Sequence, residues 1–237
     1  GVYALRMLGI FLVLPVLALY AQHLVGDNTP HAYVLVGWTM AMYGLTQAVF
    51  QLPLGMLSDK IGRKKVIYLG MILFASGSFL AAAAHDVHTL IIARAIQGAG
   101  AVSAAVTALL ADLTREEVRT RAMSMIGLSI GLTFSVGLVA SPMLSSIIGV
   151  EGLFVLMGIF SLAAMALVAY YTPNPTQSRL HEDTQAQVQR MGEVLRNTQL
   201  LRLNAGIFML QAGLTAMFTA LPLSLRQLNW DKAQHWQ

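Results

Sequence analysis

Seven mostly apolar runs, each about 20 residues or longer, follow one another along the chain at 2–20, 34–57, 66–84, 90–110, 122–148, 153–171 and 203–225. Nothing else in the sequence limits its fold so strongly, because about 20 apolar residues is the length at which an α-helix crosses a hydrocarbon core. Buried strands are far shorter. In lipid the backbone must satisfy its own hydrogen bonds, so these runs are expected as helices. Pro15, Pro53, Pro142 and Pro222 are tolerated where neighbouring helices re-satisfy the freed groups. The first run lacks a small-residue cleavage site and six comparable runs follow it, so it reads as a span and not as a removed leader. The expected fold class is an all-α membrane protein.

The joints between the runs alternate in charge. Lys60, Arg63, Lys64 and Lys65 follow the second run, Arg115, Arg119 and Arg121 the fourth, and Arg179, Arg190 and Arg196 the sixth. The other joints, "HLVGDNTPHA", "HDVH" and "GVEG", hold no Lys or Arg. Basic joints stay on the cytoplasmic side. The N-terminus is therefore expected inside, with the seventh run leading outward. The pI near 9.6 then reports topology, and nucleic acid is not expected as a partner. Only 11% of residues are charged, against roughly 25% in soluble domains. With no cysteine in the chain, disulfides, thiolate metal sites and cysteine nucleophiles are excluded.

Residues 173–199 form the one long polar stretch, opened by Pro173 and Pro175, which stop the sixth helix. The expected organisation is a six-helix bundle at 1–172, a cytoplasmic linker at 173–199, and at 200–237 a seventh helix with the start of a second bundle. An odd seventh helix and a first residue that is not Met suggest a chain cut from a longer one.

Charge is densest in "GMLSDKIGRKK", residues 55–65. Gly55 permits close approach of a neighbouring helix, and Gly62 supplies a residue able to take positive φ in a tight reversal. Asp59 and Arg63 are four apart, so a helical joint would pair them on one side and leave the lysines to the anionic inner leaflet. Ordinary accumulation of bases in a cytoplasmic loop accounts for Lys60, Lys64 and Lys65, but not for Gly55, Asp59, Gly62 and Arg63 at these offsets. Asp112 lies 18 residues past Arg94, about 27 Å down a straight helix, and so reaches the same cytoplasmic level. Arg63 could bridge Asp59 and Asp112; the alternative is an interfacial acid served by Arg115 or Arg119.

The 55–65 stretch resembles, at every defining position, the G-x-x-x-D-R/K-x-G-R-R/K-R/K motif of the major facilitator superfamily, between the second and third helices. "LGIFLVLPVL", from Leu8, resembles the first-helix motif of twelve-helix drug/proton antiporters, and "RAIQGAGA", from Arg94, their fourth-helix motif. Their fifth-helix motif ends in G-P-x-x-G-G; this chain has "SPMLSS" at 141–146, keeping small residues and replacing the glycines. "YGLTQAVFQLPLGMLSDKIGRK" and "ALLADLTREEVRT" are similar to the YajR-type bacterial transporters. The resemblance implies the N-terminal bundle of a major facilitator fold. It also implies that Gly55, Asp59, Gly62, Arg63 and Asp112 form a conformational latch against the C-terminal half of the same transporter.

Arg94 stands about five residues into the fourth run, roughly 8 Å below the outer surface. It either snorkels outward toward Asp86 or faces a central cavity, where an ionisable residue marks a site. Gln97, three residues on, shares its face, and the pair is the candidate for cavity and coupling chemistry. Gly127, Gly131, Gly137, Ser141 and Pro142 place small residues along the fifth helix, read as close helix packing. Gln47, Gln51, Ser76, Thr107, Thr133 and Gln211 line a cavity or serve as packing contacts. No metal is expected at His85 and His88, which share a cramped joint, and the methionines read as adaptable packing.

No paired carboxylates at depth, phosphate loop or nucleophile elbow is present, so an enzyme is not expected and no cofactor is implied. The resemblance implies a secondary transporter of the inner membrane, a proton-coupled multidrug efflux antiporter for small amphiphilic compounds in the lipid bilayer, working by alternating access. The alternatives are an uncoupled facilitator and a non-transporting receptor or scaffold of the same fold.

Overall fold

The computed structural model describes residues 1–26, 31–100, 102–172 and 196–227. These are arranged as α1 (Val2–Val25), α2 (Ala32–Ile61), α3 (Arg63–Ala82), α4 (Val87–Ala99), α5 (Ser103–Asp112), α6 (Glu116–Tyr171) and α7 (Thr198–Gln227). Residues 173–195, most of the expected linker, lie outside the described residues, as do 228–237.

Five stretches among the described residues are long and apolar enough to cross a membrane: Val2–Val25, Arg63–Ala82, Val87–Asp112, Glu116–Tyr171 and Thr198–Phe218. Three details differ from the sequence expectation. The "GVEG" joint is reduced to a single non-helical residue, Gly149 (φ 72, ψ 175), which divides α6 into two limbs. The fourth run is not one helix, because α4 ends at Ala99 and α5 begins at Ser103. And α2, although its 30 residues are ample, is not among the five, since Thr39, Thr46, Gln47 and Gln51 interrupt its apolar character. Two of these hydroxyls are satisfied inside the helix, Thr39 donating to the Leu35 carbonyl (3.0 Å) and Thr46 to that of Met42 (2.9 Å).

Side chains pack in two apolar cores. One holds Val13, Leu17, Val36, Met40, Phe74, Leu90, Ala93, Leu153, Phe154 and Met157. The other holds Leu54, Val66, Ile67, Met71, Val102, Ala105, Leu109, Ala164 and Val168. On α1, α2 and α6, which contribute to both, polar residues fall between the two sets, Arg6 on α1, Thr46 on α2 and Ser161 on α6, and on α4 Arg94 and Gln97 follow its last residues in the first core. A polar layer therefore divides the bundle.

Glycines let α4 enter this layer at backbone contact. A Cβ on Gly98 would lie 2.2 Å from the Tyr43 carbonyl oxygen of α2, and one on Gly77 of α3 would lie 2.8 Å from the Ala93 carbonyl oxygen. Close approach of small residues is how helices gain contact in lipid, where burial of apolar surface offers no advantage between helices. Outside, Leu128, Leu132, Val139, Met143 and Ile147 of α6 are exposed and project away from the bundle.

Candidate functional site

One end of the bundle gathers around Arg63. Gly62 (φ 102) ends α2 and admits α3 one residue later, a conformation that side-chain-bearing residues rarely adopt. Asp59 and Arg63 thus sit on two helices across a reversal, not on one continuous helix, and pair there nonetheless. The Arg63 guanidinium also donates from Nε to the Asp112 carboxylate at the end of α5 (3.2 Å) and from Nη1 to the Ser58 hydroxyl (2.8 Å). Ser58 in turn donates to the Gly55 carbonyl (2.6 Å). Arg63, and not Arg115 or Arg119, is the partner Asp112 has here. Gly55 makes only ordinary contact, its added Cβ lying 3.6 Å from Ala104. Lys64 does not simply face a leaflet: its ammonium donates to the Thr172 carbonyl past the end of α6.

The polar layer holds the second group. Arg94 is 3% exposed and points inward, its guanidinium carbon 4.7 Å from the centre of the Tyr43 ring. Its Nη1 donates to Gln97 Oε1 (2.8 Å). Gln97 Nε2 donates to the Ser78 hydroxyl (2.9 Å) and lies 3.4 Å from Met157 Sδ. Asp86 is not its partner. That carboxylate caps α4 instead, accepting from the Thr89 backbone N–H (2.9 Å) and hydroxyl (2.6 Å).

The arginine that sequence reading passed over is Arg6. It is 4% exposed and donates to Ser103 Oγ (2.8 Å) at the start of α5 and to the Tyr43 hydroxyl (3.3 Å), with its guanidinium carbon 5.4 Å from the Phe74 ring centre. The available signal was a lone cation one turn inside an apolar run. Tyr43, Ser78 and Ser103 carry no such signal.

The small residues of α6 divide. Thr133, Gly137 and Ser141 are buried at successive i+4 positions, and a Cβ on Gly137 would meet Phe11 Cβ at 2.7 Å. Gly127 and Gly131 have nothing within 4 Å of an added Cβ, so the packing expected there is absent among the described residues. At 3.6 residues per turn Gly131 lies on the side of the helix opposite Thr133. Pro142 sits inside the helix beside Ser141. Phe11, Phe134 and Phe218 stack edge-on in sequence (5.1 and 6.1 Å between centres) and join α1, α6 and α7. Among the described residues no group of three potential ligands could hold a metal ion.

A model described as Major Facilitator Superfamily matches residues 1–236. The inner membrane transport protein YajR of Escherichia coli (strain K12) is 42% identical over 236 residues, covering 100% of this chain and 51% of that protein. An uncharacterized transporter of Buchnera aphidicola subsp. Schizaphis graminum is 35% identical over 235 residues, covering 99% of this chain and 59% of its own length. The class H tetracycline resistance protein of Pasteurella multocida is 34% identical over 146 residues, covering 61% of this chain and 35% of that protein. The chain thus spans about half the length of the full-chain relatives it matches.

Proposed function

The chain belongs to the major facilitator superfamily, and from that premise we propose that it serves a proton-coupled exporter of small amphiphilic compounds in the bacterial inner membrane. The observation that carries the reading is the Arg63 cluster. It fastens the ends of α2 and α5 to the start of α3 through a guanidinium shared by two carboxylates. In the proposed cycle this cluster is a latch on the cytoplasmic side, closed against the second half of the transporter and opened as the halves rock. The N-terminus and residues 173–199 are cytoplasmic in this scheme, as the basic joints imply. Export is supported by the tetracycline resistance relative.

Coupling requires a group that changes protonation as access alternates. Arg94 is not that group, because a guanidinium stays protonated, but it biases a titrating neighbour. Every acid among the described residues lies at a helix end or a joint, and Asp112 is engaged by Arg63. The titrating partner is therefore assigned to the second half.

The test is the intact protein in liposomes under an imposed pH gradient, with a luminal pH dye and a panel of amphiphiles of both charges. At least one compound should drive proton movement, and Arg94→Gln should abolish it. Absence of compound-driven proton movement across the panel, or its persistence unchanged in Arg94→Gln, would refute the coupled mechanism.

A further inference from the structure

Among the described residues the polar layer contains two buried cations, Arg6 and Arg94, and no anion. Arg6 and Arg94 converge on Tyr43, one at its hydroxyl and the other over its ring face. All their hydrogen-bond partners are neutral: Ser103, Tyr43 and Gln97. The Nε of each is buried without an acceptor. Among the described residues the arginine–carboxylate pairs belong to Arg63 alone. A guanidinium presents five N–H donors, so both retain unused capacity in a place where an unpaired charge is strongly disfavoured.

A third source of positive potential adjoins them. The run from Val87 to Asp112 is broken, and α5 restarts at Ser103 with no side-chain cap on its first amides. Arg6 donates to that same Ser103. Helix N-termini exposed at the break of a discontinuous membrane helix attract anionic groups through their free N–H dipoles. Phe74, beside Arg6, and Met157, beside Gln97, belong to the packed apolar core that surrounds the two cations.

We propose that Arg6 and Arg94, gathered on Tyr43 at the break between α4 and α5, bind the oxyanion of a small organic anion. The planar fork of a guanidinium suits a carboxylate or phosphate, and a pair of such forks repels cations. That the anion is the transported compound rests on the exporter reading; the site itself does not.

The experiment compares three molecules of nearly one shape and different charge, benzoate, benzamide and benzamidinium, on the intact protein in phosphatidylcholine nanodiscs. Radiolabelled benzoate should bind saturably, unlabelled benzoate should displace it, and benzamide and benzamidinium should not. Arg6→Gln and Arg94→Gln should each weaken binding at least tenfold, and Arg6→Lys should recover part of the loss, which separates recognition of charge from misfolding. If phosphatidylglycerol in the discs abolishes benzoate binding, the site stands and its occupant is a lipid headgroup. Equal displacement by benzamidinium overturns the proposal. So does absence of saturable binding, or an affinity unchanged in both glutamine variants, and the counter-charge is then a protein carboxylate. The assay needs no gradient, so failure of coupled flux leaves its outcome intact.

Discussion

Replacing Arg63 by Met keeps the aliphatic stem and removes the guanidinium, leaving Asp59 and Asp112 facing each other and Ser58 Oγ without its donor. The three side chains are 10%, 17% and 15% exposed for Arg63, Asp59 and Asp112, so the pairs are mostly but not wholly withdrawn from water. Removing one partner of a buried pair is disfavoured by about 3–5 kcal/mol, and residual hydration argues for the lower figure. If the cluster exists only in the cytoplasm-closed state, about 3 kcal/mol changes the opening equilibrium by roughly 160-fold. An open state populated at about 1% would rise to about 60%. Asp59→Asn leaves the Asp112 contact in place and should shift the equilibrium by less. Asp112→Asn added to Arg63→Met should do little more, since the shared partner is already gone. The chain has no cysteine, so with any cysteine outside it replaced, spin labels at Glu117→Cys of α6 and Gln199→Cys of α7 are specific. Pulsed electron resonance on the intact protein should show a longer distance component that grows in Arg63→Met. A distribution identical to that of the unsubstituted latch would refute the argument.

Three further outcomes follow from other parts of the structure. Gly137→Ala should lower thermal stability by about 1–3 kcal/mol through overpacking on Phe11, whereas Gly127→Ala and Gly131→Ala should leave the melting temperature unchanged or slightly raised. The Asp86 carboxyl, held below its ordinary 3.8 first by the Thr89 hydroxyl and then by the Thr89 backbone N–H, stabilises the start of α4 at neutral pH. That contribution is lost as pH falls through the lowered value, which carbon NMR titration will locate, and Thr89→Val should move the titration upward. Cysteines at Asn28 and His88 should be labelled by an impermeant thiol reagent from outside intact cells, and one at Gln185 should not.

The Arg63 cluster was legible because most of it is local in sequence. Gly62 and Arg63 are adjacent, Asp59 is one turn away, and the level of Asp112 follows from counting residues down a helix. The serine that completes it was not, since a hydroxyl at the end of an apolar run has no distinguishing pattern. Arg6 escaped for a different reason: its partners Tyr43 and Ser103 lie 37 and 97 residues away, and only tertiary packing brings them together. At Gly127 and Gly131 spacing marks a stripe on a helix but not what that stripe faces, and among the described residues nothing packs against it. The break in the fourth run was hidden by continuous hydropathy, although Gly98 and Gly100 stand beside it.

The bond from Lys64 to the Thr172 carbonyl has a mechanical consequence. Thr172 is the capping residue of α6, and Lys64 is adjacent to Arg63. A cation at a helix C-terminus contributes about 0.3–1 kcal/mol, enough to make this a preferred anchor and weak enough to be released. A displacement at Thr172 would therefore reach α3 one residue from the guanidinium that binds Asp59 and Asp112. The short arm of this lever is the first turn of α3, and its fulcrum is Gly62, the residue whose backbone rotation changes the angle between α2 and α3.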